Sequence, residues 1–218
     1  AAVPPAAAAC ELVVVRHGET EWNKALRVQG ATDIPLNAKG RLQAERCAAA
    51  LARQYSGTSA PGVVYTSMLG RASHTAEAIA VALTAAAGKE GRPKANLRSD
   101  PRLNEWSMGV LEGMTKDEAA KLHPEDWAVF SQWCSPKVSA EDAARVIRDG
   151  ESMDAVRQRA VAFLEEACRE SVTSGRPVIA VTHGGVLGQL LRHAEGDDKD
   201  APERPRAANA CISRFLVQ

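Results

Sequence analysis

The chain has 218 residues, and its 27 lysines and arginines are matched by 27 aspartates and glutamates, for a formal net charge of zero. That balance argues against a global basic field for nucleic acid or an anionic membrane, so attraction for an anionic substrate must come from a local cluster. No apolar run approaches the length of a bilayer span, and the length suits one domain around one well-filled core.

Residues 1–10 are rich in alanine and proline without a basic n-region, and they read as a flexible tail ahead of a single domain over residues 11–218. The five cysteines, Cys10, Cys47, Cys134, Cys168 and Cys211, are odd in number and lack metal-type or redox-type spacing. Cys47, Cys168 and Cys211 fall on apolar faces and read as reduced core residues, which suits a reducing, cytoplasmic setting.

Taken in order, Leu12 to Val15 form an unbroken apolar run that predicts a strand buried on both faces. It ends abruptly in Arg16 and His17, and Gly18 breaks the extended conformation. A polar loop over 18–36 follows, then Asn37 as N-cap of a helix to about Tyr55, with Ala44, Cys47, Ala48, Leu51 and Tyr55 as its apolar stripe. Gly62 to Tyr65 read as a second buried strand with Thr66, Ser67 and Arg71 at its tip. A helix from about Arg71 to Ala87 is stopped by Gly88, and Asn96 to Ser99 form a short third strand.

Residues 100–113 have no period and contain Pro101, Gly109 and Gly113, so they read as loop. Thr115 with Glu118 forms a capping box, and Pro124 opens a further helix whose Trp127, Phe130 and Trp133 pack toward the sheet. Ser152 caps a long helix to Glu170, with Met153, Val156, Ala160, Phe163, Leu164 and Ala167 facing inward. Pro177 to Val181 predict a buried strand ending in Thr182-His183-Gly184-Gly185. There a helix starts with Val186, Leu187, Leu190 and Leu191 on one face, and Ala210 to Val217 give the last strand.

Strands alternating with helices imply an α/β fold, a three-layer α/β/α sandwich around a mostly parallel central sheet with right-handed crossovers. The tips of three strands then bring Arg16, His17, Arg71 and His183 to one sheet edge, where open α/β sheets build ligand crevices. Glu105 sits in a loop free to fold over that edge.

Two arginines, two histidines and a carboxylate suit phosphoryl transfer without metal, which needs positioning and charge neutralisation more than covalent assistance. Arg16 and Arg71 would clamp a phosphate bidentately, Asn23 would add an amide, and Gly30 would let the backbone approach. His183 with Gly184 opens a helix, whose N-terminal donors would face the anion. His17 would attack phosphorus as a neutral imidazole. Glu105 would protonate the leaving oxygen and then deprotonate water, with Glu19, Glu21 and Glu112 as rival carboxylates. His74, His123 and His193 read as solvated. Arg92, Lys94, Arg98, Arg102, Lys116, Arg145 and Arg148 lie in or near segments bordering the mouth, where they could hold a second acidic group. The polar loop over 194–208 reads as a solvated excursion, with a lid as the alternative.

Arg16-His17-Gly18 continues through Gln29-Gly30, residues 33–37, Gly40 and Gln43-Ala44, then Thr66-Ser67, Arg71-Ala72 and Thr75-Ala76. Leu103-Asn104-Glu105, Gly150-Glu151-Ser152, His183-Gly184-Gly185 and Asn209-Ala210 complete the ordered set. Over about residues 11 to 217 the chain resembles the histidine phosphatase superfamily, which includes the cofactor-dependent phosphoglycerate mutases. The resemblance implies a phosphoglycerate mutase-like fold and an enzyme of small phosphorylated metabolites, with His17 as nucleophile and Glu105 as proton donor. It implies Arg16, Asn23, Arg71 and His183 as phosphate ligands, and Gln29 with Gly30 at the substrate edge.

In mutases of this kind the glutamate is followed by a basic segment containing tyrosine, whereas here Trp106 to Gly113 hold neither a tyrosine nor a cation. The expectation is therefore a metal-independent, cofactor-free phosphatase for a small phosphomonoester, with a phosphohistidine on His17. The alternatives are a mutase primed by 2,3-bisphosphoglycerate and a non-catalytic phosphate-binding adaptor, which loss of His17 or Glu105 would signal. A metallohydrolase using His17, His183 and a carboxylate is opposed by two arginines that would repel a divalent ion.

Overall fold

Three apolar runs form the middle of the sheet, and their alternation decides where every helix goes. The computed structural model describes residues 10–55, 60–88, 95–135, 138–195 and 207–217. The tail over 1–9, Arg92, Lys94 and most of the 194–208 loop lie outside them. The strands are β1 (Cys10–Arg16), β2 (Val63–Thr66), β3 (Asn96–Ser99), β4 (Val178–Thr182) and β5 (Ile212–Val217). They run in the order β3-β2-β4-β1-β5, all parallel except β5, which pairs antiparallel with β1.

The helices are α1 (Glu21–Lys24), α2 (Ala38–Gln54), α3 (Gly70–Gly88), α4 (Lys116–Leu122), α5 (Pro124–Trp133), α6 (Ala140–Ala144), α7 (Met153–Ser174) and α8 (Gly184–Glu195). Side chains of a strand point to alternate faces. Val13, Val15, Val64, Ile179 and Val181 therefore pack under α2 and α3, against Ala48, Leu51, Ala76, Ile79 and Leu83. Leu12, Val14, Tyr65, Val178 and Ala180 face the opposite layer, with Val156, Ala160 and Phe163 of α7 and Leu187 and Leu190 of α8. The result is the expected three-layer α/β/α sandwich.

The caps act where the sequence places them. Asn37 accepts the amide of Gly40 at 2.8 Å, Thr115 and Glu118 close a reciprocal capping box, and Ser152 accepts from Ala155. Each such cap contributes about 1 kcal/mol to its helix. Trp133 joins the core on the α7 side of the sheet with Trp127 and Phe130 packed against it, and it stacks on Trp106 at 4.3 Å, while Tyr65 meets Phe163 edge-on at 5.3 Å.

Several segments differ from expectation. The 18–36 loop contains α1, a four-residue helix closed by a capping box between Thr20 and Asn23. The 100–113 loop holds two single 3-10 turns, Pro101–Leu103 and Gly109–Leu111. A further short helix, α6, is capped by Ser139, and α7 runs on to Ser174 before Gly175 ends it with φ 63.

Cys10 begins β1 instead of ending the tail, and it forms a disulfide with Cys168 of α7. Cys168 is thus not a reduced core thiol, and the cysteine argument for a reducing compartment falls with it. The partners are 158 residues apart and meet only because α7 lies across the start of β1. Cys47 is buried and Cys211 half-buried, both outside that disulfide. Among the described residues no helix is long and apolar enough to cross a membrane.

Candidate active site

Strand register assembles the centre of the site. Arg16 of β1 pairs with Thr182 of β4, so the residues that follow, His17 and His183, emerge level with each other. Their ring centroids lie 5.0 Å apart. Thr66 of β2 pairs with Val181, and the Ser67 amide continues the ladder onto the Val181 carbonyl, which brings Ser67 beside the same point. Arg71, the second residue of α3, then enters from the β2 side.

His17 is buried, and its Nδ1 lies 2.6 Å from the Gly18 carbonyl. A carbonyl only accepts, so Nδ1 carries the proton and the lone pair resides on Nε2. Burial, and then the Arg71 and Arg16 guanidiniums, push its pKa down to about 3, against a raising hydrogen bond to Gly18. The imidazole is neutral at any ordinary pH. His183, fully buried, is held well below its usual range by burial first and by His17, Arg71 and Arg16 after it.

Arg71 is completely enclosed. Its Nε donates to His183 Nδ1 at 3.2 Å, one terminal nitrogen donates to the Thr32 carbonyl and the other to the Gly30 carbonyl, each at 2.7 Å. Because the guanidinium only donates, the His183 proton sits on Nε2 and is given to Ser67 Oγ at 2.8 Å. Ser67 in turn lies 3.0 Å from Asn104 Oδ1, next to Glu105. Burial lowers the Arg71 pKa, while Glu105, Asp33 and Glu112 oppose that shift. Arg16 donates to the Ala207 carbonyl, and Gly184 lies against its guanidinium.

Asn23 and Gln29 are fixed by the α1 turn. Asn23 Oδ1 accepts from the Thr20 amide at 3.2 Å and from Asn209 Nδ2 at 3.1 Å, and the Thr20 hydroxyl donates to Gln29 Oε1. Glu105 Oε2 accepts the Gly185 amide at 3.2 Å and Oε1 accepts the Trp106 amide at 3.0 Å. The α8 N-terminal amide expected to face an anion therefore meets the Glu105 carboxylate in this arrangement.

The rival carboxylates are committed elsewhere. Glu19 binds Asn37 and Lys39, which hold it below the usual carboxylate range; Glu21 pairs with Lys24 in solvent; Glu112 accepts four hydrogen bonds from residues 31, 32 and 108. Most of the cations expected at the mouth are also taken: Arg98 by Glu170, Arg102 by Asp100 and Glu166, Arg145 by Asp142 and Arg148 by Asp126. Among the described residues no group of three or more histidines, cysteines or acidic residues could hold a metal ion.

Contacts link His17, Arg16, Arg71, His183, Gly184, Glu105, Asn23, Gln29 and Gly30 into one region at the strand tips. The structure departs from prediction in the His183 ring nitrogens, which face Arg71 and Ser67. It adds Ser67, Thr75, Asn104, Asn209, Glu112 and Arg159. Thr75 Oγ1 ties the Gly18 amide to the Arg71 carbonyl, and Asn209 Nδ2 reaches the His17 carbonyl at 3.2 Å. Four of these six lie in the ordered motif set; Glu112 and Arg159 work through backbone groups and leave no signature of their own.

The pattern of the histidine phosphatase superfamily (branch 1) matches residues 12–218. The chain is 36% identical over 210 residues to a probable phosphoglycerate mutase GpmB of Yersinia pestis, covering 95% of this chain and 85% of that one. It is 35% identical over 184 residues to phosphoglycerate mutase-like protein 4 of Arabidopsis thaliana, covering 84% and 70%. Its structure superposes with a TM-score of 0.70 on a mycobacterial glucosyl-3-phosphoglycerate phosphatase complexed with VO3, at 25% identity over 94% of this chain and 90% of that one. With that match over nearly its whole length, and with two histidines, two arginines and a glutamate gathered at the strand tips, the chain belongs to the histidine phosphatase superfamily.

Proposed function

We propose that the protein is a metal-independent phosphatase that hydrolyses a small phosphomonoester through a phosphohistidine on His17. The observation that carries this reading is the His17 ring: neutral through burial and two guanidiniums, with Nδ1–H directed at Gly18 and the lone pair left on Nε2. That lone pair forms the N–P bond as the P–O bond to the leaving group breaks, and Glu105 protonates the departing oxygen. Glu105 then takes a proton from the water that cleaves the N–P bond, releasing phosphate. Arg16 and Arg71 neutralise the phosphoryl oxygens, Asn23 offers its NH2 because its carbonyl oxygen is already used, and His183 holds Arg71 in place.

A mutase reading is favoured by the name of the Yersinia relative. Against it, the segment after Glu105 supplies no cation, and Arg102, Arg145 and Arg148 are engaged by acidic neighbours. A second acidic group on the substrate would find these three arginines already engaged, and water would reach the phosphohistidine.

The test compares phosphate release from 3-phosphoglycerate and a panel of small esters with conversion of 3- to 2-phosphoglycerate, with chelator present. Phosphate release that persists in chelator and falls about 10⁴-fold or more in His17→Ala is expected. Isomerisation dependent on 2,3-bisphosphoglycerate with little phosphate released would overturn the phosphatase reading. A folded protein inert toward every ester would point to an adaptor.

A further inference from the structure

Glu112 is the carboxylate at the crevice with the most bonds and no part in the proposed chemistry. Its Oε1 accepts the amides of Ala31 at 2.8 Å and Met108 at 3.0 Å; its Oε2 accepts the Thr32 amide at 2.8 Å and the Thr32 hydroxyl. One side chain thus joins the phosphate-side loop to the segment that follows Glu105.

The consequence for Arg71 follows from peptide geometry. The Gly30 carbonyl and the Ala31 N–H belong to one planar trans peptide and point in opposite directions. Drawing that N–H to Glu112 turns the carbonyl toward Arg71, which donates to it at 2.7 Å. The neighbouring Thr32 amide and hydroxyl bind Glu112 while the Thr32 carbonyl takes the other terminal nitrogen. Gly30 has φ 58, and a Cβ there would lie 2.2 Å from Glu112 Oε1, so this backbone and this carboxylate are fitted to each other. Three of the five Arg71 N–H donors are spent on His183, Gly30 and Thr32, which leaves one on each terminal nitrogen; the nitrogen bound to Thr32 also lies 3.7 Å from Asp33 Oδ1, an ion pair with a half-exposed carboxylate that is too long to use up the donor.

We propose that Glu112 is a positioning residue for phosphate binding: through the Gly30-Ala31 peptide and Thr32 it sets the orientation in which Arg71 presents its two remaining N–H donors to a phosphoryl group. This rests on the phosphate-site reading above. Glutamine keeps the shape of Glu112 but replaces one acceptor oxygen by a donor facing other donors.

The experiment measures inorganic phosphate binding by calorimetry for wild type, Glu112→Gln, Arg71→Lys and the double variant, with melting curves as a control for folding. Glu112→Gln should weaken binding about tenfold and raise KM for a small ester more than it lowers kcat. In the Arg71→Lys background the same change should cost less than about twofold, because its route runs through the guanidinium. Wild-type affinity in Glu112→Gln, or an equal loss in both backgrounds, would overturn the inference and leave the phosphate reading standing. Failure of the wild type to bind phosphate would remove both. Should Glu112→Gln fail to fold, Thr32→Val deletes one donor to the same carboxylate. The same double comparison then applies, with a loss of about two- to threefold expected and an equal loss in both backgrounds overturning the inference.

Discussion

The two loops that close the crevice are held from behind by side chains of opposite charge. Residues 30–32 are gathered by a carboxylate, Glu112, which collects N–H groups and leaves carbonyl oxygens facing Arg71. Residues 102–105 are gathered by a guanidinium, Arg159 of α7, which donates to the carbonyls of Arg102 at 2.8 Å, Asn104 at 2.6 Å and Glu105 at 3.3 Å. Each anchor fixes the group of opposite sign at the front of its loop. A carboxylate behind supports a cation in front, and a cation behind supports the Glu105 carboxylate. A ligand site that needs both signs within a few ångströms can be built this way without the two collapsing into an ion pair.

The strongest break of this symmetry is Arg159→Met. Arg159 also pairs with Glu151 through Nε at 3.2 Å and a terminal nitrogen at 3.1 Å, and Glu151 takes the Ser107 amide at 3.0 Å. Methionine fills the volume but leaves three carbonyls and one half-exposed carboxylate without that partner, a loss of about 2 to 3 kcal/mol carried mainly by the carbonyl bonds. At this chain length that lowers the melting temperature by about 10 °C. Turnover should fall about 10- to 100-fold while inorganic phosphate still binds, since only the acid's loop is released. A variant that lost phosphate affinity as severely as turnover would show that the loops are not separately anchored.

A finer comparison sets two glycines against each other. A Cβ on Gly30 would lie 2.2 Å from Glu112 Oε1, and one on Gly185 would lie 2.5 Å from Glu105 Oε1. Gly30→Ala also meets a positive φ, so it should lose about 2 kcal/mol of stability and weaken phosphate binding several-fold. Gly185→Ala pushes aside only the end of a half-buried side chain. It should leave stability within about 1 kcal/mol and phosphate affinity unchanged, while lowering kcat about tenfold. Calorimetry and steady-state kinetics on the two variants decide this, and a matching loss of affinity in both would erase the distinction.

The sheet and the residues gathered at its strand tips were legible in the sequence, whereas both anchors were not, and the reason is physical. Val13 to Val15, Val63 to Tyr65 and Val178 to Val181 are buried on both faces, so hydrophobicity alone marks them, and an arginine or histidine at such a strand end stands out. Asn37, Thr115 and Ser152 announce their helices because a cap is a local contact. Glu112 and Arg159 act on backbone groups of segments far away in sequence, and any backbone presents the same N–H and C=O groups. Nothing in residues 31, 32 or 102–105 encodes the partner. The same holds for Cys10 and Cys168, brought together only by the packing of α7 on β1. Arg102 and Arg148 misled for the converse reason: their charge is visible in sequence, but the Asp100, Glu166 and Asp126 that absorb it are assigned only by the fold.

The smallest expected effect separates the strand tips from both loops. His17 stays neutral when folded because burial and two arginines lower its pKa to about 3. Unfolded, it takes up a proton near pH 6.5. Between those values the unfolded state binds more protons, so stability rises with pH across that window. The contribution is fully present above about pH 6.5 and lost as pH falls toward 3. The slope reaches about 1.4 kcal/mol per pH unit for this one group, or about 2 kcal/mol between pH 7 and pH 5. His17→Asn keeps an N–H for the Gly18 carbonyl and removes the titration, so urea denaturation at a series of pH values should give a shallower acid limb. Gly185→Ala should leave that slope unchanged, because it removes no titratable group. A slope that His17→Asn leaves intact, or that Gly185→Ala flattens as much, would place the acid sensitivity in the loops instead of at the strand tips.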